Sequence, residues 1–268
     1  MNHREERIDV RGCTVPTLIG GGGPALVLLH GAGGAGQWFE FHERLAQRFT
    51  VYAPLHPGFG GTPLPSWVKE AEDLALHYVD FIRAIAADKP LVIGLSLGGW
   101  IATELAVFRS DLMSGLVLAG ALGVRPERPT PDLFIMDPME AVGYLFADPA
   151  KAIALMPQGA AVDGIVRMWE EQAAVARLTW RRPYNPQLHR RLHHVRVPTL
   201  VVWGGKDRLI SPEHGRMLAR EIKGACFELI ESSGHAVAIE QPTMLADTIA
   251  RFADGIALAP PQPAGDRR

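Results

Sequence analysis

The sequence predicts an α/β fold, with a mostly parallel twisted sheet flanked by helices and a helical cap inserted after the sixth strand. One observation is a series of short apolar runs bounded by glycine, proline and other loop signals, which is typical of strands buried on both faces. A second is the alternation of these runs with segments of helical spacing, which predicts parallel β-α-β units. A third is a proline-rich helical stretch, residues 123–195, in which the alternation stops.

The predicted elements follow one another closely along the chain. A short strand pair and the glycines at 20–23 come first. The elements before the cap are then a strand at 25–30, a helix at 37–48, a strand at 49–54, a helix at 67–87, a strand at 90–95, a helix at 97–108 and a strand at 115–120. Those after the cap are a strand at 198–205, a helix at 212–223, a strand at 226–231 and a helix from about 241.

This alternation divides the chain into a core and an insertion. We assign residues 1–122 and 196–255 to one core domain, 123–195 to the cap and 256–268 to a flexible C-terminal tail. The last cap helix has a recognisable start, because Asn185 can cap, Pro186 suits the first helical position and QLHRRLHHV follows.

Composition and charge narrow the range of functions. The 268 residues are 47% hydrophobic and 21% charged, which is ordinary for a globular protein, and the formal net charge of -2 favours neither nucleic acid nor an anionic membrane as partner. Cys13 and Cys226 are far apart, so we expect neither a disulfide framework nor a metal site. Because no apolar run reaches the roughly 20 residues of a membrane helix, we expect a cytoplasmic protein. We also expect the protein to use no cofactor. Its oligomeric state stays open, and a homodimer is one alternative.

The stretch VIGLSLGGW at 92–100 raises the question of chemistry. Gly94-Leu95-Ser96-Leu97-Gly98 is either a turn after a strand or a Gly-x-Ser-x-Gly elbow that presents a nucleophile. A strand before it and a helix after it favour the elbow, because small flanking residues relieve backbone crowding there. Ser96 would then lie at a helix N-terminus above the edge of the sheet where the strands end.

A serine nucleophile needs a base and a third group that orients the base. His235 is our candidate base, because it lies in a loop directly after a late predicted strand. Asp207 follows the preceding strand at once and is the candidate orienting acid, with an ordinary surface-loop acid as the alternative. His56, just before PGFGG, has no settled role, and His30 is interpreted as a structural residue beneath its loop.

An oxyanion hole would complete the site, with backbone N–H groups that stabilise a developing negative charge. We assign one donor to the N–H of Leu97 and the other to the N–H of Ala32, with the N–H of Gly31 as the alternative to Ala32. Apolar side chains of the cap either line a substrate pocket or simply pack the cap helices together. The candidate substrate-binding residues are Gly31, Trp38, Met136, Phe146, Trp169 and Val237.

With these residues in hand, the chain resembles the α/β-hydrolase superfamily up to about Ala253, in its capped serine hydrolase branch. The resemblance rests on His30-Gly31, PGFGGT at 57–62, the Ser96 elbow, and Asp207 ahead of His235. It implies the fold and the roles of nucleophile, acid and base for Ser96, Asp207 and His235. It also implies carboxylesterase-like chemistry, with the hydrolases that cleave carbon-carbon bonds of aromatic ring-fission products as the second alternative.

That second alternative meets two departures from the pattern. In the carbon-carbon hydrolases the residue before the nucleophile is usually Asn and the residue after the catalytic His is usually Trp, whereas this chain has Leu95 and Ala236. We therefore expect a serine hydrolase that cleaves a carboxylic ester or related acyl bond of a small, largely apolar substrate. A small-ligand receptor with vestigial hydrolysis is the alternative of another class.

Overall fold

The computed structural model describes residues 3–33, 36–155, 162–256 and 258, and their strands form one eight-stranded sheet. In chain order the strands are β1 (His3–Val10), β2 (Cys13–Gly20), β3 (Ala25–Leu29), β4 (Thr50–Pro54), β5 (Leu91–Leu95), β6 (Gly115–Ala119), β7 (Thr199–Gly204) and β8 (Cys226–Ile230). Their order across the sheet is β1-β2-β4-β3-β5-β6-β7-β8. Only the β1–β2 and β2–β4 pairs of this sheet are antiparallel, so the predicted mostly parallel fold is confirmed.

The parallel register places the loops that follow several strands at one edge. Leu29 pairs with Gly94, Leu95 pairs with Ala119, and Gly204 pairs with Ile230. Because the carboxyl ends of these strands lie level, the segments that leave β3, β5, β7 and β8 come together. This edge carries the candidate site.

Helices cover both faces of the sheet. In chain order the α-helices of the described residues are α1 (Glu40–Ala46), α2 (Ala71–Ala84), α3 (Leu97–Arg109), α4 (Pro138–Leu145), α5 (Pro149–Leu155), α6 (Val162–Thr179), α7 (Pro212–Glu221), α8 (Val237–Glu240) and α9 (Pro242–Asp254). Side chains of α2, α3 and α7 form one core cluster with the sheet, and those of α1 and α9 form another. Strand residues alternate between the clusters, as Val92 and Ile93 do, because successive side chains point to opposite faces.

Two helices are shorter than the sequence predicts. Helix α2 covers 71–84 instead of 67–87, since the Asp73 carboxylate accepts the backbone N–H groups of Lys69 and Glu70 and holds them outside the helix. It ends before Ala86, whose φ of 52° lies in the left-handed region. Helix α1 covers 40–46 instead of 37–48. The helical spacing of apolar residues therefore continues beyond the residues that form each helix, and it overestimates the length of both helices.

The segment between β6 and β7 contains α4, α5 and α6, and the helix predicted after Asn185 is present as a short 3₁₀ helix. Residues His189–His194 form a 3₁₀ segment there. The Asn185 side-chain oxygen accepts the backbone N–H of Gln187 at 2.9 Å, as a cap would. Its amide nitrogen, however, donates to Glu72 on α2 and Glu104 on α3, and these tertiary bonds fix the residue.

Two residues of the predicted tail pack against the core. Ile256 and Leu258, which the sequence assigns to the tail, pack against the core cluster formed by α1 and α9. Residues 257 and 259–268 of that predicted tail lie outside the described residues.

The carboxyl pair beside Asn185 makes stability depend on pH. Burial, with Glu104 nearby, raises the pKa of Glu72 to about 7, and burial also raises the pKa of Glu104. Both pKa values lie above the ordinary 4.5, so the folded state favours the protonated carboxyls. Their contribution to the free energy of unfolding is complete below pH 4.5 and is lost as pH rises through the folded-state pKa values. We expect the free energy of unfolding to fall between pH 5 and pH 8, and Glu104→Gln to reduce this fall.

Urea unfolding of wild type and Glu104→Gln at several pH values in that window measures the effect. The matched control is Glu127→Gln, whose parent side chain is exposed. Equal pH slopes for Glu104→Gln and the wild type would contradict the prediction.

Candidate active site

The Ser96 corner is a sharp elbow between β5 and α3. Ser96 has φ 51° and ψ -112°, a conformation that non-glycine residues rarely adopt and that stores roughly 1–3 kcal/mol of strain. A Cβ at Gly94 would lie 2.4 Å from the carbonyl oxygen of Gly98, and a Cβ at Gly98 would lie 2.1 Å from that of Leu29. Both positions therefore require glycine, because no side chain fits between these backbone segments.

Three loops bring a serine, a histidine and an aspartate into one hydrogen-bonded chain. His235 Nε2 lies 2.9 Å from Ser96 Oγ, and His235 Nδ1 lies 2.9 Å from Asp207 Oδ2. The other carboxylate oxygen of Asp207 accepts the backbone N–H groups of Leu209 and Ile210 at 2.9 and 2.8 Å. The side chains of His235 and Asp207 are 5% and 0% exposed, so the chain of bonds is shielded from water up to the serine.

This geometry sets the direction of proton transfer. A carboxylate oxygen accepts hydrogen bonds, so the proton of the neutral imidazole lies on Nδ1 and the lone pair of Nε2 faces Ser96. The arrangement can therefore accept the hydroxyl proton of Ser96 and hold the resulting imidazolium beside Asp207.

The loop after β3 lies against the serine. A Cβ built at Gly31 would be 3.2 Å from the Cβ of Ser96 and 3.9 Å from its Oγ, so this backbone closely approaches the hydroxyl. Leu97 is buried at the first position of α3, where its N–H has no partner within the helix. Ala32 follows Gly31 on the loop and is exposed, whereas Gly34, two residues further along, lies outside the described residues.

His56, whose role the sequence left open, is buried beneath that loop. Its backbone N–H donates to His30 Nε2 at 3.0 Å, and its own Nε2 donates to the His30 carbonyl at 2.9 Å. His30 Nδ1 in turn donates to the Gly31 carbonyl at 2.7 Å, and the Tyr78 hydroxyl donates to His56 Nδ1. Burial lowers the pKa of His30 to about 4 and that of His56 well below its ordinary value. Two neutral histidines thus brace the loop beside Ser96.

Sequence reasoning missed Tyr78 as a member of this network. The sequence offers no signal for this role, because Tyr78 lies on the apolar face of the helix predicted at 67–87, as a core side chain would. The hydroxyl is fully buried and is used by His56, which lies 22 residues earlier in the chain. Only the packing of α2 against the sheet brings the two residues together.

Two of the candidate substrate-binding side chains are part of the core near α1. Trp38 is buried, its indole stacks on His3 with ring centroids 4.8 Å apart, and its Nε1–H donates to Glu43 at 2.8 Å. Val237 is 3% exposed and belongs to the same core cluster. Both side chains are thereby held in place by packing.

The candidate residues between β6 and β7 differ in exposure. Phe146 is 8% exposed and packs with Val142 of α4, next to the loop that carries His235. Met136 is half-buried. Trp169 on α6 is 63% exposed, so the structure does not place it with Phe146 in one enclosed apolar group.

Two further searches concern metal ions and membranes. Within the described ranges, no three His, Cys, Asp or Glu side chains come together as a metal site would require. In the same part of the chain, no helix is both long and apolar enough to cross a membrane.

Comparison with known proteins places the chain in a family. The model of the alpha/beta hydrolase family matches residues 26–248. The chain belongs to this family. The match spans the sheet from β3 onward and includes the loops that carry Ser96, Asp207 and His235.

Relatives of this alpha/beta hydrolase include enzymes of different specificity. It is 30% identical to the 2-hydroxy-6-oxo-6-(2'-aminophenyl)hexa-2,4-dienoic acid hydrolase of Metapseudomonas resinovorans, with 92% of this chain and 90% of that protein covered. It is 24% identical to a monoacylglycerol lipase of Homo sapiens, with 85% and 75% covered. A solved serine hydrolase involved in carbazole degradation is 25% identical, with a TM-score of 0.78 and 94% and 99% covered.

Proposed function

We propose that this alpha/beta hydrolase cleaves a carboxylic ester or related acyl bond of a small, largely apolar substrate through an acyl-enzyme on Ser96. The observation that carries the proposal is the chain of two 2.9 Å hydrogen bonds from Asp207 through His235 to Ser96. A hydroxyl so paired gains a base that removes its proton as it attacks a carbonyl. The strained elbow supports the same role, because it presents the hydroxyl at the helix N-terminus.

The proposed reaction has two halves. His235 Nε2 takes the proton of Ser96 while Oγ bonds to the carbonyl carbon, and the backbone N–H groups of Leu97 and Ala32 stabilise the oxyanion. The intermediate then collapses, the imidazolium gives its proton to the departing alcohol, and an acyl-enzyme remains. Water then attacks the acyl carbon as His235 takes its proton, and the Oγ–carbon bond breaks as the imidazolium returns that proton to Ser96. The acid is thereby released, while Asp207 holds the imidazole tautomer throughout.

We further propose that residues 123–195 form a cap over this site. The part of this segment that holds α4, α5 and α6 begins and ends at neighbouring points, since Gly123 bridges Tyr184 and its carbonyl accepts the N–H of Asn185 at 2.7 Å. The backbone of α4 also reaches the loop of His235, because the Leu145 carbonyl accepts the N–H of Ala236 at 2.9 Å. Specificity for the acyl group would then reside in α4, α5 and α6.

A carbon-carbon hydrolase is the second candidate, favoured by the 30% identity to the dienoic acid hydrolase of Metapseudomonas resinovorans. Against it stand Leu95 and Ala236, which flank the proposed nucleophile and base with an apolar and a small side chain. Neither side chain can donate a hydrogen bond to a dienoate or stack on it. The ester hydrolase therefore remains the first proposal.

A substrate panel tests the choice. We expect multiple turnovers of p-nitrophenyl esters, with kcat/KM rising as the acyl chain lengthens because apolar area is buried. A 2-hydroxy-6-oxo-dienoate should be turned over more slowly than the best ester. Faster cleavage of the dienoate would favour the second candidate, and binding without turnover of any substrate would contradict both.

A further inference from the structure

Glu240, at the end of α8, is a buried acid whose side chain is fully used. It is 3% exposed, and its Oε1 accepts the backbone N–H groups of Ala147 and Asp148 at 2.9 and 3.0 Å. Its Oε2 accepts the N–H of Gly234 at 2.6 Å and the hydroxyl of Ser233 at 3.3 Å. Three backbone N–H groups thus donate to the carboxylate, and the Ser233 hydroxyl shares its single proton between Oε2 and the Gly234 carbonyl at 3.2 Å. The carboxylate therefore joins the turn after α4 to the loop of His235.

The turn at 145–148 makes other bonds to the same loops. The Leu145 carbonyl accepts the N–H of Ala236, and the Phe146 carbonyl accepts Arg208 Nη2 at 3.3 Å. Arg208 directly follows the candidate acid Asp207. A Cβ at Gly234 would lie 2.7 Å from the Ala147 nitrogen, so the two backbones are in direct contact.

We propose that Glu240 is a positioning residue that sets the orientation of the His235 imidazole through the 145–148 turn. The inference rests on the proposed function, in which His235 is the base. The residues on both sides of His235, Gly234 and Ala236, are held by this assembly, so a change at Glu240 moves the imidazole relative to Ser96. The turn after α4 thereby becomes part of the structure that orients the base.

Glu240→Gln tests the idea with almost no change of volume. If the amide oxygen keeps the bonds to Ala147 and Asp148, its NH₂ group faces the N–H of Gly234, so two donors oppose each other. A misplacement of reacting groups by about 1 Å costs on the order of 100-fold in rate, so we expect a kcat decrease of roughly 10- to 100-fold. KM should change less than kcat, because the buried Glu240 carboxylate bonds to the 145–148 turn and the His235 loop and not to Ser96.

Two readouts and two other variants make the test specific. One readout is the split between kcat and KM on the best ester, and the other is the low-field proton resonance of His235 Nδ1–H, which should shift or vanish in Glu240→Gln. The matched control is Glu228→Gln, whose parent side chain on β8 is exposed. The second variant is Arg208→Met, which removes an exposed side chain and one bond to the turn, and should lower kcat in the same direction but less.

The outcomes separate this inference from the proposed function. Lack of turnover by the wild type would contradict the proposed function, while the His235 resonance would still report on Glu240. An unchanged resonance and kcat in Glu240→Gln, matching Glu228→Gln, would overturn the inference. If Glu240→Gln does not fold, Arg208→Met is used as the test instead. A kcat and a His235 resonance equal to those of the wild type in Arg208→Met would then overturn the inference as well.

Discussion

Ser96→Ala is expected to lower kcat for ester hydrolysis by on the order of 10⁶-fold, the size of effect seen when a triad nucleophile is removed. The reason is that the variant retains the His235–Asp207 pair but has no oxygen to form the acyl-enzyme. Substrate binding should change little, because the hydroxyl is a small part of the surface that the substrate contacts. Ester turnover and covalent labelling by a fluorophosphonate, detected as a mass increase, measure the effect.

Two comparisons make the Ser96→Ala result decisive. Ser232→Ala changes an exposed serine three residues before His235, and it should retain wild-type turnover and labelling. The Tm of both variants should equal that of the wild type, because a loss of activity can then be separated from a loss of the fold. Turnover by Ser96→Ala close to the wild-type rate would refute the proposed nucleophile.

Gly98→Ala is expected to cause the largest loss of stability among single-methyl changes at the elbow. The new Cβ would lie 2.1 Å from the Leu29 carbonyl oxygen and 2.5 Å from that of His30. These are backbone atoms at the end of β3, so neither can rotate away and the strand must shift. Such overpacking costs about 3 kcal/mol or more, which corresponds to a decrease in Tm of roughly 10 °C.

The control for this effect is another glycine to alanine change. Gly143 lies in α4, where an added Cβ meets nothing within 4 Å, and alanine there should leave stability equal or improve it by about 0.5–1 kcal/mol. Thermal unfolding followed by circular dichroism compares the two variants. A Tm for Gly98→Ala equal to that of Gly143→Ala would show that the strand yields without strain.

The candidate site was largely predictable because its parts follow strands. Ser96, Asp207 and His235 each come directly after an apolar run, and parallel strands of equal register bring their ends to one edge. No residue needed a long-range contact to be noticed. The glycines beside Ser96 added a local steric requirement that can be read from five adjacent residues.

Other features depend on partners that are distant in the chain. Asn185 predicts a helix from its local pattern, yet its amide is held by Glu104, 81 residues earlier, and a 3₁₀ segment follows. His56 gains its role from Tyr78 and His30. Glu240 lies five residues after His235, and its partner Ala147 lies 93 residues earlier in the chain.

The sequence by itself determined the α/β architecture and the corner at Ser96, since both arise from periodicity and from sterics between near neighbours. The tertiary structure decided where helices end, how His56 and Tyr78 brace the loop beside Ser96, and what Glu240 holds. The physical reason is that a buried polar group takes whichever partner packing brings within about 3 Å. Packing depends on the whole fold, so it cannot be predicted from the pattern of neighbouring residues.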